Sequence, residues 1–328
     1  MHKLGNVFVE TESTPGTFEA VAAADVVEYT RLDLQPPGGP GRQRRNTQRD
    51  HMEFGKTAMA VPGVFQEFTL TVPVKAAASQ YDGPGRFADL IRACGWEQGG
   101  TPSASDIYYT LQDDPNAAAN LEPCSVEVEE TIDGDRYQFA GCRGSLTVTG
   151  GGGAPHLAEF AMGGQWADPA VVSSLIAVDE SDFYAGNAVV NIGGTNPFRF
   201  DSYDFVSAGA FRISQNYELM QRRDDSASTT HYFKHPAWLR PAGPVSVQIE
   251  VEAEDSGAYD IHNKWRTQAN FDGQIYLSDG TRSVKHDLND CQWLRPQYIR
   301  EPNGLTRITL NAECHRNAST PSWKITFA

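Results

Sequence analysis

Long apolar runs are missing from this 328-residue sequence. Nothing approaches the roughly 20 residues that a membrane-spanning helix needs. The opening Met-His-Lys-Leu-Gly-Asn-Val-Phe-Val-Glu has none of the apolar stretch of a secretory signal. Cysteine is scarce and scattered: Cys94, Cys124, Cys142, Cys291 and Cys314, an odd number with no Cys-x-x-Cys spacing. That spacing would point to zinc or redox chemistry, so reduced, buried thiols in a cytosolic product are expected. Positive charge is short as well, with 27 Lys and Arg against 42 Asp and Glu, a net −15. Binding nucleic acid rests on cations that neutralise phosphates, and an anionic membrane repels the same surface.

Catalytic constellations are also lacking. His231 and His235 stand four apart in His-Tyr-Phe-Lys-His, without the glutamate of a zinc-protease helix and with Pro236 directly after. Gly150 to Gly153 lacks the Lys-Ser/Thr of a phosphate loop and reads as a hairpin tip. Carboxylates are plentiful at Asp113-Asp114, at Glu127, Glu129 and Glu130, and at Glu250, Glu252 and Glu254. The last three fall on the polar side of an alternating segment, so a solvated face explains them better than glycoside hydrolysis. A non-enzyme without metal or cofactor is expected.

What is present is strand. Val245, Val247, Ile249, Val251 and Ala253 alternate with Ser246, Gln248, Glu250 and Glu252, the period of two of a half-buried strand. Val64 to Val74 and Thr306 to Cys314 repeat the pattern. Asp133-Gly134 and Asp279-Gly280 sit between strand-like segments as hairpin turns. One helix is expected over 84–95, where Phe87, Leu90, Ile91 and Cys94 share a face and Gly95 follows. Two features give the chain an order. A turn-rich basic segment (Pro36 to Pro62) precedes the strand Val64–Val74 and Tyr81-Asp82, and a polar, aromatic segment (Gln221 to Gly243) precedes Val245–Ala253 and Tyr259-Asp260. That order of features suggests duplication. The first of these segments also carries Arg42, Arg44, Arg45, Arg49 and Lys56 against only Asp50 and Glu53, with His51, Met52 and Phe54 as apolar anchors. A loop of this length is uncommon unless functional or disordered, and this one suits an acidic partner such as another copy.

Several segments together resemble one family. Asp133-Gly134-Asp135-Arg136-Tyr137, Gly141-Cys142-Arg143-Gly144-Ser145, the turn ending at Ala154-Pro155, Phe160 and Gly163-Gly164-Gln165-Trp166 look like the core of bacteriophage tail tube proteins. Asp89 to Trp96 and the opening Glu10 to Thr17 are similar to segments of the same family. The resemblance covers the first half of the chain. It implies a mainly β, sandwich- or barrel-like fold with a flanking helix, two related domains in tandem at 1–166 and 186–328, and a connection at 167–185. It also implies homo-oligomeric rings, usually of six, stacked around a lumen that conducts DNA, with residues 36–62 reaching the next ring through Arg42, Arg44, Arg45, Arg49, Met52, Phe54 and Lys56. Tape measure, tail terminator and baseplate or tip proteins would be the other partners, in a virion tail assembled in the bacterial cytoplasm. Glu127, Glu129, Glu250 and Glu252 are the candidate lumen-facing acids. The main alternative is a virion-surface or secreted β-sandwich that binds carbohydrate, with six tryptophans as stacking platforms.

Overall fold

The computed structural model describes residues 5–34, 64–75, 84–101, 105–117, 120–130, 135–151, 154–166, 170–171, 176, 191–192, 198–205, 208–220, 238–252, 258–278, 282–300, 306–317 and 320–328. The first half contributes β1 (Gly5–Thr11), β2 (Arg31–Leu34), β3 (Val64–Pro73), helix α1 (Phe87–Ala93), the hairpin β4 (Trp96–Gly99) and β5 (Ile107–Leu111), β6 (Cys124–Glu130), β7 (Asp135–Gly151), β8 (Ala154–Trp166) and β9 (Ala170–Val171). The second contributes β10 (Asn191–Ile192), β11 (Phe198–Phe200), β12 (Tyr203–Phe205), β13 (Ala208–Ser214), β14 (Tyr217–Met220), β15 (Trp238–Pro241) and β16 (Val245–Glu252). Helix α2 (Ile261–Thr267), β17 (Phe271–Ser278), β18 (Ser283–Trp293), β19 (Gln297–Arg300), β20 (Thr306–Cys314) and β21 (Trp323–Phe327) complete it. Among the described residues the fold is mainly β with two short α-helices.

The two halves lay their strands side by side in the same order. In the first, β2 pairs β3, β3 pairs β8, β8 pairs β7, β7 pairs β6 and β6 pairs β1. In the second, β13 pairs β16, β16 pairs β20, β20 pairs β18 and β19, β18 pairs β17 and β17 pairs β11. Every one of these pairings is antiparallel, and a short helix follows the third strand of each set, α1 after β3 and α2 after β16.

The halves are joined through hydrogen bonds. Residues Ala210–Ser214 of β13 pair with Thr147–Gly151 of β7, and β21 pairs with β5. The span 1–166 and the span 186–328 thus share one 19-stranded sheet system, and their buried apolar side chains form one cluster. Each Leu, Ile or Phe in it stabilises the fold by roughly 1.5–3 kcal/mol relative to exposure.

Helix α1 is short because its sequence stops it. Gly95 holds φ at 82°, and a Cβ there would meet Pro115 at 2.5 Å, so this backbone turn requires glycine. The helix docks through Phe87, Leu90 and Ile91 on its buried face. Arg86 and Arg92 tie it to β1: Arg86 reaches Glu10 at 2.6 Å, and Arg92 donates to Thr11 Oγ1 at 2.9 Å. Strands β7 and β8 pair as far as Gly151 opposite Ala154. All five cysteines are buried and free.

Candidate functional site

One run of strands crosses both halves without interruption: β2-β3-β8-β7-β13-β16-β20-β19. Alternation along each strand gives this eight-stranded run two faces of different character. One face is core. Leu70, Phe160, Leu146, Ile213, Val247 and Leu310 lie on it and are buried.

The opposite face is polar. Cross-strand register lines up Arg31, Thr71, Glu159, Thr147, Ser214, Ser246 and Glu313 in one row. A second row holds Asp33, Thr69, Ala161 and Ser145, and a third holds Thr149, Arg212, Gln248 and Asn311. Beyond them lie Glu250 beside Thr309 and Glu252 beside Arg307. Most of these side chains are exposed or half-buried, while Thr71 and Thr309 are buried. With Glu67, opposite Gly163, the face carries six carboxylates against Arg31, Arg212, Arg307 and the buried Arg143, which is also opposite Gly163. Between the charges are short hydroxyl side chains, Thr147 Oγ1 lying 3.0 Å from Ser214 Oγ across the β7–β13 junction. Such a face is smooth, hydrated and mildly anionic. Its excess negative charge repels phosphate.

The ribbon β14–β15 rises at one side of this face. Tyr217 N donates to Ser145 Oγ at 3.4 Å, and Asn116 bridges the ribbon to β7 by accepting from Leu239 N at 3.0 Å and from Arg143 Nη1 at 2.8 Å. Arg143 is fully buried, donates to Pro115 O at 2.6 Å, and has its pKa lowered by burial to about 10. The ribbon ends in exposed Met220 and Trp238. It lies between β13 and β16 in the chain, the place that residues 35–63 occupy between β2 and β3.

The acids expected on a wall divide into two groups. Glu250, half-buried, and Glu252, exposed, stand on the open face of the run. Glu127 and Glu129 correct the expectation: they are 1% and 0% exposed, on β6, which is not part of the run. Arg136 Nε contacts Glu127 at 2.9 Å, its Nη2 contacts Glu129 at 2.7 Å, Gln138 Nε2 donates to Glu127 at 2.7 Å, and Ile176 N donates to Glu129 at 3.1 Å. Neither side chain has surface left to offer a channel. Burial raises the pKa of Glu127, against the lowering effects of Gln138 and Arg136.

Arg42, Arg44, Arg45, Arg49, Met52, Phe54 and Lys56 lie outside the described residues, as do His231, His235 and Glu254. Among the tryptophans, Trp96, Trp293 and Trp323 are core rather than stacking platforms. Asp113 pairs with Arg316, and Asp114 Oδ1 accepts from Asn116 N at 3.0 Å. Glu67, Glu159, Glu313, Arg212 and Arg307 belong to the polar face although nothing marked them in the sequence; their signal was alternation within single strands, which does not reveal which strands become neighbours. Among the described residues, no group of three or more His, Cys, Asp or Glu could hold a metal ion, and no helix is long and apolar enough to cross a membrane. No family model and no curated protein matches this chain.

Proposed function

We propose that the chain is a structural subunit of a tube: a tail tube protein of a tailed bacteriophage, forming stacked rings around a lumen that conducts DNA. The observation that carries this reading is the eight-stranded run, four strands from each half, with one face sealed in the core and the other lined by hydroxyls and an excess of carboxylates. A channel that lets DNA pass needs a wall that does not hold phosphate. Each Lys or Arg facing the duplex adds salt-dependent attraction, and several would arrest it. In this reading Glu250 and Glu252 face the lumen, the segment 36–62 reaches the next ring, and tape measure, terminator and tip proteins meet the ends. The resemblance implies six copies of the chain in each ring.

Self-association tests it. At high concentration, or with a tail-initiating partner, the protein is expected to sediment as rings or longer species and to form hollow cylinders in negative stain. A monomer under all of these conditions would contradict the reading.

A further inference from the structure

The eight-stranded run ends in two strands that are each bonded on one edge. Among the described residues β2 pairs only with β3, and β19 only with β20. Their counterparts inside the chain are not left this way. β13 occupies in the second half the place of β2 in the first, and it is bonded on both edges, by β16 and by residues 147–151 of β7.

A shared irregularity fixes how the two halves superpose. Thr30 and Arg31 both face Thr71, with Thr30 N donating to Thr71 O at 2.8 Å. Gly209 and Ala210 both fall opposite Glu250, between the pairs Ala208–Val251 and Phe211–Ile249. A bulge of one extra residue at the same place in each hairpin equates Leu32 with Phe211 and Leu34 with Ile213. It likewise equates Val72 with Val251. From Val72 the ladder runs to Ala158 and Val148; from Val251 it runs to Ile308 and Tyr298. Tyr298 on β19 is therefore the counterpart of Val148 on β7, the residue that faces Ile213 across the internal junction.

We infer that copies of this chain join head to tail by pairing β2 of one with β19 of the next, antiparallel, with Leu34 opposite Tyr298, Asp33 opposite Ile299 and Leu32 opposite Arg300. The occupant of each open edge is a second copy, because the chain already contains the same junction once, between its own halves. The surfaces fit this. Tyr298 and Ile299 are each 49% exposed and Leu294 41%, three of the five large apolar side chains most exposed among the described residues. Beside β19, on the core side, an open cleft is lined by Val251, Ile308, Leu310 and Tyr298. It is the place to receive Leu34, as Ile213 is received, fully buried, at the internal junction. Unpaired strand edges bearing apolar side chains are templates for a neighbouring chain. The contact is heterologous, one β2 and one β19 per copy, so it closes into a ring or propagates.

As a statement of how tube subunits meet, this rests on the tube reading, and its test separates the two. The double variant Asp33→Cys/Ile299→Cys places two thiols directly opposite across the proposed junction, where Cβ atoms stand about 5 Å apart. The native cysteines are all buried and do not compete. On oxidation with copper–phenanthroline, the double variant is expected to give a ladder of covalent oligomers on a non-reducing gel. Either single variant, or Asp33→Cys with the exposed Gln248→Cys, is expected to stay mostly monomeric. A ladder supports the pairing whether or not tubes are seen. Rings or tubes in the microscope without the 33–299 cross-link overturn the pairing and leave the tube reading standing. Failure of the protein to associate at all overturns both.

Discussion

Arg136 spans two carboxylates that have almost no contact with solvent, and this is where single residues matter most for stability. Two charges on Glu127 and Glu129 stay buried only because one guanidinium and a few N–H donors face them. Removing one partner of a buried ion pair typically costs 3–5 kcal/mol, since the remaining charge is stranded. Arg136→Ala is therefore expected to lower the urea midpoint by a stability loss of about 3 kcal/mol at pH 7, and by less as pH falls, because burial makes the Glu127 carboxyl easier to protonate. A loss under about 1 kcal/mol would mean that the carboxylates find water. A second buried pair sets a pH dependence of opposite sense. His156 and His286 lie with their Nε2 atoms 3.2 Å apart, and Trp323 donates to His286 Nδ1 at 3.3 Å. Burial lowers both pKa values, that of His286 to about 3. The folded state holds both neutral, while the unfolded chain protonates them below about pH 6.5. Their contribution is present above pH 6.5 and is lost as pH falls towards the folded values, at up to about 1.4 kcal/mol per pH unit for each histidine. Urea titrations between pH 7 and 5 are expected to give a shallower loss for His286→Gln than for the wild type; equal slopes would contradict the buried neutral pair.

At the scale of elements, the sequence was readable wherever one strand carried its own pattern. Val245 to Glu252 alternates buried and open as its residues require, the helix stops at Gly95, and β7 pairs with β8 as far as Gly151 opposite Ala154. Glu127 and Glu129 misled because β6 alternates in the same way, yet both its faces are covered; a strand's period does not report what lies over its polar side. The β7–β13 junction was not legible at all, since register across the chain between Gly151 and Ala208 leaves no trace in either strand. The connections are the elements with a distinct prediction. Residues 36–62 carry a positive excess within an acidic chain, and under the proposed tube assembly their contacts with a neighbouring ring would be charge-assisted. Reversing Arg44, Arg45 and Arg49 to Glu is expected to leave subunits folded by circular dichroism and to shorten tubes in negative stain by tenfold or more. Tubes of normal length in the triple variant would remove this loop from ring stacking.

For the whole molecule, the central claim is that the hydroxyl- and carboxylate-bearing face of the eight-stranded run becomes the inner wall of a tube. Net charge alone does not decide this, because acids spread over an outer surface give the same −15. Placement does. The face carries Glu67, Glu159, Glu250, Glu252 and Glu313 among Ser and Thr, with arginines in the minority, and DNA moving along such a wall meets repulsion and water rather than a row of cationic contacts. The most direct measurement is a cryo-EM reconstruction of the assembled particle at a resolution that traces side chains. The account predicts that Glu250 and Glu252 point into a continuous channel wall together with Thr147 and Ser214, with Glu127 and Glu129 still closed against Arg136. A particle in which this face looks outward, or in which the channel is lined mainly by Lys and Arg, would contradict it.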